Sequence, residues 1–275
     1  MMMQCKDIRM ELASRIRSNT CRIVCQSPEG EVKGTCFWFG FVKPGEPGMM
    51  KPILVTNKHV VDGCTEARLI VNVFIDGSST PVPYELHIPN VDVQFLKHPD
   101  PNVDLAVLDA SWFFSHFAEK NIEMDVFIFT NEVIESGERI SSIEDVYMTG
   151  YPNGLWDEVN NKPITRKGIT ATSVSDNWNG KREFVIDMAC FAGSSGSPVY
   201  ILNQRFFSIN NGVDTRLLFL GVLYGGPVAQ VNGSVDVVSI PTSTALVSRT
   251  QQGLNLGFVV KAECLNDFKP LLGIA

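Results

Sequence analysis

The segment Phe191-Ala192-Gly193-Ser194-Ser195-Gly196-Ser197-Pro198-Val199 sets a Gly/Ser turn between two strand-like runs. Such a turn can be plain punctuation. It can also present a serine hydroxyl to a carbonyl carbon, because glycine lets neighbouring backbone N–H groups converge on a developing oxyanion without a Cβ clash. That second use picks Ser195, which has Gly193 two residues before it and Gly196 one after. With Ser194 as the nucleophile, Ala192 and Ser195 would stand in those places.

A serine hydroxyl is a weak nucleophile at neutral pH and needs a histidine to take its proton, with a carboxylate to fix the imidazole tautomer. The chain has four histidines. His87 lies in the alternating run Tyr84-Glu85-Leu86-His87-Ile88 and reads as a surface strand residue; His98 stands beside Pro99 in a loop, and His116 sits among aromatics. His59 differs: it follows the apolar run Ile53-Leu54-Val55-Thr56 and falls where a buried strand stops, a rigid place for a catalytic group. Asp104 stands at the mouth of the apolar run Leu105-Ala106-Val107-Leu108. By itself it would pass for a turn residue; the order His, Asp, Ser makes it the candidate orienting acid.

These residues need a scaffold, and from Cys21 onward the chain reads as one. Short runs rich in Val, Ile, Phe and Thr alternate with Gly, Pro, Asn and Asp, the pattern of an all-β protein. Expected strands include Arg22 to Gln26, Thr35 to Val42, Ile53 to Thr56, Arg68 to Ile75, Leu105 to Leu108, Val146 to Thr149, Gly168 to Val174, Phe184 to Met188, Pro198 to Leu202, Leu217 to Leu223 and Gly257 to Val260. So many short strands without crossover helices favour barrels or a sandwich over a parallel sheet. Ile8, Leu12 and Ile16 recur at helical spacing and predict a short helix over 5–17, and Ala262 to Phe268 predicts another near the end. The domain reading is an N-terminal extension over 1–20, β halves over 21–110 and 143–261 joined by a connection over 111–142, and a tail over 262–275.

The formal charge of −7 argues against a phosphate-neutralising surface, so nucleic acid is not an expected partner. No run of apolar residues is long enough to span a bilayer, and the N-terminus has no apolar export segment, so neither a membrane nor Sec export is expected. Seven cysteines, at 5, 21, 25, 36, 64, 190 and 264, form no zinc-type pairs. They read as reduced thiols in a reducing, cytoplasmic compartment, with no metal and no cofactor.

The chain resembles the trypsin-like peptidases of the chymotrypsin clan, and within them the bacterial HtrA-related type. The resemblance rests on Leu54-Val55-Thr56-Asn57-Lys58-His59-Val60-Val61, on His98-Pro99 followed by Asp104-Leu105-Ala106-Val107-Leu108, and on Gly193-Ser194-Ser195-Gly196-Ser197-Pro198. Weaker echoes are Gly34-Thr35-Cys36-Phe37, Gly150-Tyr151-Pro152 and Leu256-Gly257-Phe258-Val259. It implies two six-stranded antiparallel barrels with short terminal helices, and a cleft holding His59, Asp104 and Ser195 as triad, with Gly193 and Ser195 as the backbone oxyanion donors. It implies a serine endopeptidase acting on protein or peptide substrates; the alternative is a silent, protease-like module that binds a partner in the same cleft.

The family's primary pocket, carried over by position, would have Ala189 as its floor and Tyr224 and Gly226 on one wall, favouring small or medium apolar P1 residues. Asp187 is the competing floor residue if the register slips by two. Secreted relatives bridge a cysteine directly after the histidine to one on the preceding strand. Here Val60 holds that place, which would leave Cys36 without its partner. A PDZ-like region after the protease domain is not expected.

Overall fold

Strand β2 (Gly30–Val42) shows how this sequence builds two units at once. Its alternate side chains point to opposite faces: Cys36 and Trp38 enter one apolar cluster, while Phe37, Phe39 and Phe41 enter another. Both faces of its middle are buried, so the strand reads as an unbroken apolar run. Each fully buried phenylalanine contributes on the order of 1.5–3 kcal/mol.

The computed structural model describes residues 12–43, 45, 49–134, 140–207, 212–235 and 246–274. In the N-terminal half, β1 (Thr20–Ser27), β2, β3 (Met50–Thr56), β4 (Glu66–Ile75), β5 (Val82–Pro89), β6 (Leu96–Lys97) and β7 (Ala106–Asp109) form one sheet in the order β5-β4-β1-β2-β3-β7-β6. Two short strands join it, β8 (Ile122–Met124) on β4 and β9 (Phe129–Thr130) on β2. In the C-terminal half, β10 (Asp145–Gly150), β11 (Ile164–Thr170), β12 (Glu183–Asp187), β13 (Pro198–Phe207), β14 (Gly212–Gly225) and β17 (Leu256–Lys261) close a six-stranded barrel. A separate ribbon pairs β15 (Val228–Val235) with β16 (Leu246–Gly253). The all-β fold expected from the sequence is observed and is consistent with the two-barrel architecture: the C-terminal half closes as a six-stranded barrel, while the N-terminal half is a nine-stranded sheet in which β9 joins β2 in parallel.

Three apolar clusters make up the core, and one of them joins the two halves. One fills the N-terminal sheet around Trp38, Leu54 and Leu69, and one fills the C-terminal barrel around Phe184, Ile186 and Val199. The third lies between them, where Phe37, Phe39, Val55 and Leu105 meet Tyr200, Phe219, Val222 and Phe268.

The helical elements are short. A helix over Leu12–Ile16 runs into a 3-10 turn at Arg17–Asn19, and the rest of the expected N-terminal helix lies outside the described residues. Ala262–Phe268 is a 3-10 segment, buried through Ala262, Cys264, Leu265 and Phe268. A helix not foreseen, Ser111–Glu119, buries Phe113 and Phe117, four residues apart on one face. The strand expected over Gly168 to Val174 is shifted to Ile164–Thr170; beyond it the Ala171 and Thr172 N–H groups both turn to Val185 O and the ladder ends.

Among the described residues Cys21, Cys25, Cys36, Cys64, Cys190 and Cys264 are all unbridged. The expectation that Cys36 stands where a bridge to position 60 would begin is corrected here. Gly34 faces Val60: a Cβ built at Gly34 would lie 2.7 Å from Val60 Cγ1. Cys36, two residues on, shares Gly34's side of the strand but lies opposite Cys21 in the β1–β2 register, with the sulfurs 3.6 Å apart. Burial first, then the neighbouring thiol of Cys21, pushes the Cys36 thiol well above its ordinary range. With no disulfide at these positions, dithiothreitol should leave the melting temperature and any activity unchanged; a clear fall in either would contradict this thiol assignment.

Candidate active site

The pairing of β3 with β7 brings two distant residues together. Thr56 lies opposite Ala106 in this antiparallel ladder. His59 stands three residues past Thr56 and Asp104 two residues before Ala106, so both fall at the same end of the pair. Asn57, fully buried, stops the strand and donates from Nδ2 to Asp104 O at 2.7 Å. His59 then sits on the single helical turn Lys58–Val61. Its backbone N–H donates to Asp104 Oδ1 at 3.2 Å, and its ring Nδ1 lies 2.6 Å from Asp104 Oδ2. The carboxylate accepts only, so it keeps the proton on Nδ1 and leaves Nε2 as the basic nitrogen.

The other histidines take structural places. His87 bonds Glu66 across exposed β4 and β5 at 2.9 Å. His98 is buried; its Nδ1 accepts the Asp100 N–H at 3.0 Å and its Nε2 faces Cys264 O at 3.2 Å, tying the C-terminal segment down. His116 packs edge-on against Phe117 in the helix Ser111–Glu119.

Ser195 and Ser194 have different surroundings. Ser194 is 1% exposed and its buried Oγ has no partner, whereas Ser195 is half-buried and donates from Oγ to Tyr224 O at 3.4 Å. Among the described residues no hydrogen bond joins Ser195 to the His59 ring; of the three candidates the structure pairs His59 with Asp104 directly, and Ser195 shares neighbours with the segments that carry them. Gly34 is one: the Cβ position that meets Val60 Cγ1 also lies 3.4 Å from Ser195 O. Thr56 is another, since a Cβ at Gly196 would lie 2.7 Å from Thr56 Oγ1.

Gly193 adopts a φ of +83° and Gly196 a φ of +87°, both in the region that favours glycine. A Cβ at Gly196 would collide with Thr35 O at 1.9 Å, so this position admits no side chain. The Gly193 and Ser195 N–H groups have no acceptor among the described residues, although each carbonyl of the segment 191–195 accepts a hydrogen bond.

Of the expected pocket residues, Ala189 is half-buried and its carbonyl accepts from Arg166 Nη1 at 2.9 Å. Gly226 is exposed, and a Cβ there would lie 2.2 Å from Leu256 O. Tyr224 donates its hydroxyl to Glu183 Oε2 at 2.7 Å and stacks on Phe258. Burial first, then the Glu183 carboxylate, raises the Tyr224 phenol well above its usual range. Asp187, the competing floor residue, ends β12 as that strand's one exposed side chain.

The sequence gives no sign of how Arg166 and Cys190 border this region. Arg166 lies opposite Met148 in the barrel and places its guanidinium 4.6 Å from the Phe191 ring centre. A Cβ at Gly257 would lie 2.7 Å from both Cys190 Sγ and Leu223 Cδ1. Burial pushes the Cys190 thiol up to about 11, against the opposing pull of Arg166. Only strand register exposes such neighbours, and β11 begins earlier in the chain than the strand expected from Gly168.

The model of the family described as the trypsin-like peptidase domain matches residues 34–207, well over half of the chain. The chain belongs to this family. That trypsin-like match spans the His59, Asp104 and Ser195 segments. No curated protein matches the chain in sequence. Among solved structures it is similar to Rv3671c from M. tuberculosis H37Rv, crystallised as an inactive serine-to-alanine mutant, at 15% identity over 97% of this chain and 92% of that one, with a TM-score of 0.44. It is similar to the thermostable serine protease AL20 from an extremophilic microorganism at 11% identity over 94% and 98%, with a TM-score of 0.43. It is also similar to the protease of tobacco etch virus in complex with product, at 11% identity over 80% and 77%, with a TM-score of 0.43.

Proposed function

We propose that this trypsin-like peptidase is a serine endopeptidase that works through an acyl-enzyme, with Ser195 as nucleophile, His59 as general base and Asp104 as the acid that orients His59. The observation that carries this reading is the 2.6 Å contact of His59 Nδ1 with Asp104, which leaves Nε2 as the basic nitrogen; it is joined by a serine loop whose Gly193 and Ser195 N–H groups have no acceptor among the described residues. Ser195 Oγ gives up its long bond to Tyr224 O, passes its proton to His59 Nε2 and attacks the scissile carbonyl. The oxyanion is received by Gly193 and Ser195 N–H, and His59 returns the proton to the leaving amine. Hydrogen bonds of this kind are often long before substrate binds and tighten afterwards. Its substrates are proteins or peptides, and its unbridged cysteines suit a reducing, cytoplasmic compartment.

For the primary pocket we propose small or medium apolar P1 residues, such as Val, Ala, Leu or Met. Supporting this, Cys190, Leu223 and Ile186 converge on Gly257, an apolar setting, and the guanidinium of Arg166 stands behind the Ala189 carbonyl. A P1 Lys or Arg would bury its charge unpaired beside another cation, at a cost of roughly several kcal/mol. A P1-varied peptide library tests the reading. Cleavage after Val, Ala, Leu or Met is expected; dominant cleavage after Lys or Arg would overturn the Ala189 assignment, and a chain that cuts nothing would favour the silent binding module.

A further inference from the structure

The antiparallel ladder between β3 and β7 ends at Thr56 and Ala106, two residues short of Asp104. No strand pairing therefore holds the backbone of the acid. It sits at the apex of a three-residue turn, in which the Leu105 N–H donates to Val103 O at 3.0 Å. The Asp104 N–H has no acceptor among the described residues. Its carbonyl accepts one bond, from Asn57 Nδ2 at 2.7 Å. Asn57 is 0% exposed, and its own carbonyl accepts the Val60 N–H at 3.3 Å, so it is built into the turn that carries His59. The other half of its amide does nothing comparable: Asn57 Oδ1 is buried without a partner among the described residues. An unpaired buried acceptor opposes folding, so the amide suits this place through its donor alone.

The Asp104 carboxylate sets one oxygen on the His59 backbone N–H and the other on ring Nδ1. Both bonds require the Asp104 Cα to stay at a fixed distance from the His59 turn. Among the described residues the Asn57 amide makes the one hydrogen bond to the Asp104 main chain, at the carbonyl next to that Cα. We propose that Asn57 is a positioning residue of this site: its side-chain N–H clamps the Asp104 main chain to the His59 turn and so seats the carboxylate on the imidazole. The inference rests on the serine-endopeptidase reading and adds to it a residue that touches no substrate.

The test is Asn57→Leu, which keeps the shape and loses the donor. On a peptide that the full-length chain cleaves, N57L should lower kcat on the order of 10²-fold, the scale of a misplaced catalytic group, with KM within about twofold. A residue that acts only through the Asp104 carboxylate has nothing left to position once that carboxylate is gone. In an Asp104→Asn background N57L should therefore cost less than about threefold more. Proton NMR gives a readout without substrate: the proton in the 2.6 Å bond from His59 Nδ1 to Asp104 is strongly deshielded. Its resonance should be absent in His59→Ala and should shift or vanish in N57L. If N57L does not fold, Asn57→Ala removes the same donor without added bulk and carries the same expectations. The proposal is overturned if N57L keeps wild-type kcat, if its loss multiplies in full with that of Asp104→Asn, or if the resonance is unchanged. If the wild-type chain cleaves nothing, the peptidase reading fails, and the resonance alone decides whether Asn57 seats Asp104 on His59.

Discussion

Ser195→Ala should abolish turnover, with a loss on the order of 10⁶-fold as for removal of a nucleophile in a comparable triad, while Ser194→Ala leaves most of it. The two serines are neighbours, so the contrast isolates chemistry from folding. Ser194 is buried with a hydroxyl that has no partner among the described residues; alanine there removes a buried polar group that makes no hydrogen bond. Its N–H, bonded to Phe191 O, belongs to the backbone and survives the change. Ser195, half-buried, points its hydroxyl toward Tyr224 O. Steady-state kinetics of both variants settle the matter: equal loss in the two would overturn the choice of Ser195.

Asp104→Asn should lower kcat on the order of 10⁴-fold, the scale seen when a triad acid becomes an amide, in a protein whose fold is intact. The argument lies in the two bonds that Asp104 accepts. The His59 backbone N–H at 3.2 Å can only donate, so it holds the amide oxygen of Asn. That turns the NH₂ group toward the ring nitrogen now 2.6 Å from Asp104 Oδ2. Two N–H donors cannot face each other, so Nδ1 must become the acceptor and the ring proton moves to Nε2. The imidazole can then no longer take the serine proton. A kcat within tenfold of wild type would show that Asp104 does not orient the base.

Much of this site was legible because its residues lie at strand ends, where apolar runs give way to polar residues. His59 closes Ile53 to Thr56, Asp104 opens Leu105 to Leu108, and glycines bracket Ser195 because backbone conformation and the Thr35 carbonyl demand them. What stayed hidden depends on register. Gly34 rather than Cys36 faces Val60, and that follows from a crossing between strands which spacing along the chain does not encode. Arg166 reaches Ala189 from a strand whose true span, Ile164–Thr170, begins four residues before the expected start at Gly168. Asn57 looks like one more polar residue at a strand end until its bond to Asp104 O is seen. The helix Ser111–Glu119 escaped because Trp112, Phe113 and Phe114 are contiguous, which blurs helical periodicity.

The central claim is that Ser195 is a nucleophile activated by His59, and reaction with a fluorophosphonate tests it without any knowledge of the substrate. An activated serine attacks phosphorus, expels fluoride and keeps the phosphonyl group, which intact-protein mass spectrometry counts and peptide mapping locates. We expect one adduct, on Ser195, lost in Ser195→Ala and strongly slowed in His59→Ala. A folded wild-type protein that takes no adduct, or takes it on another residue, would contradict the account.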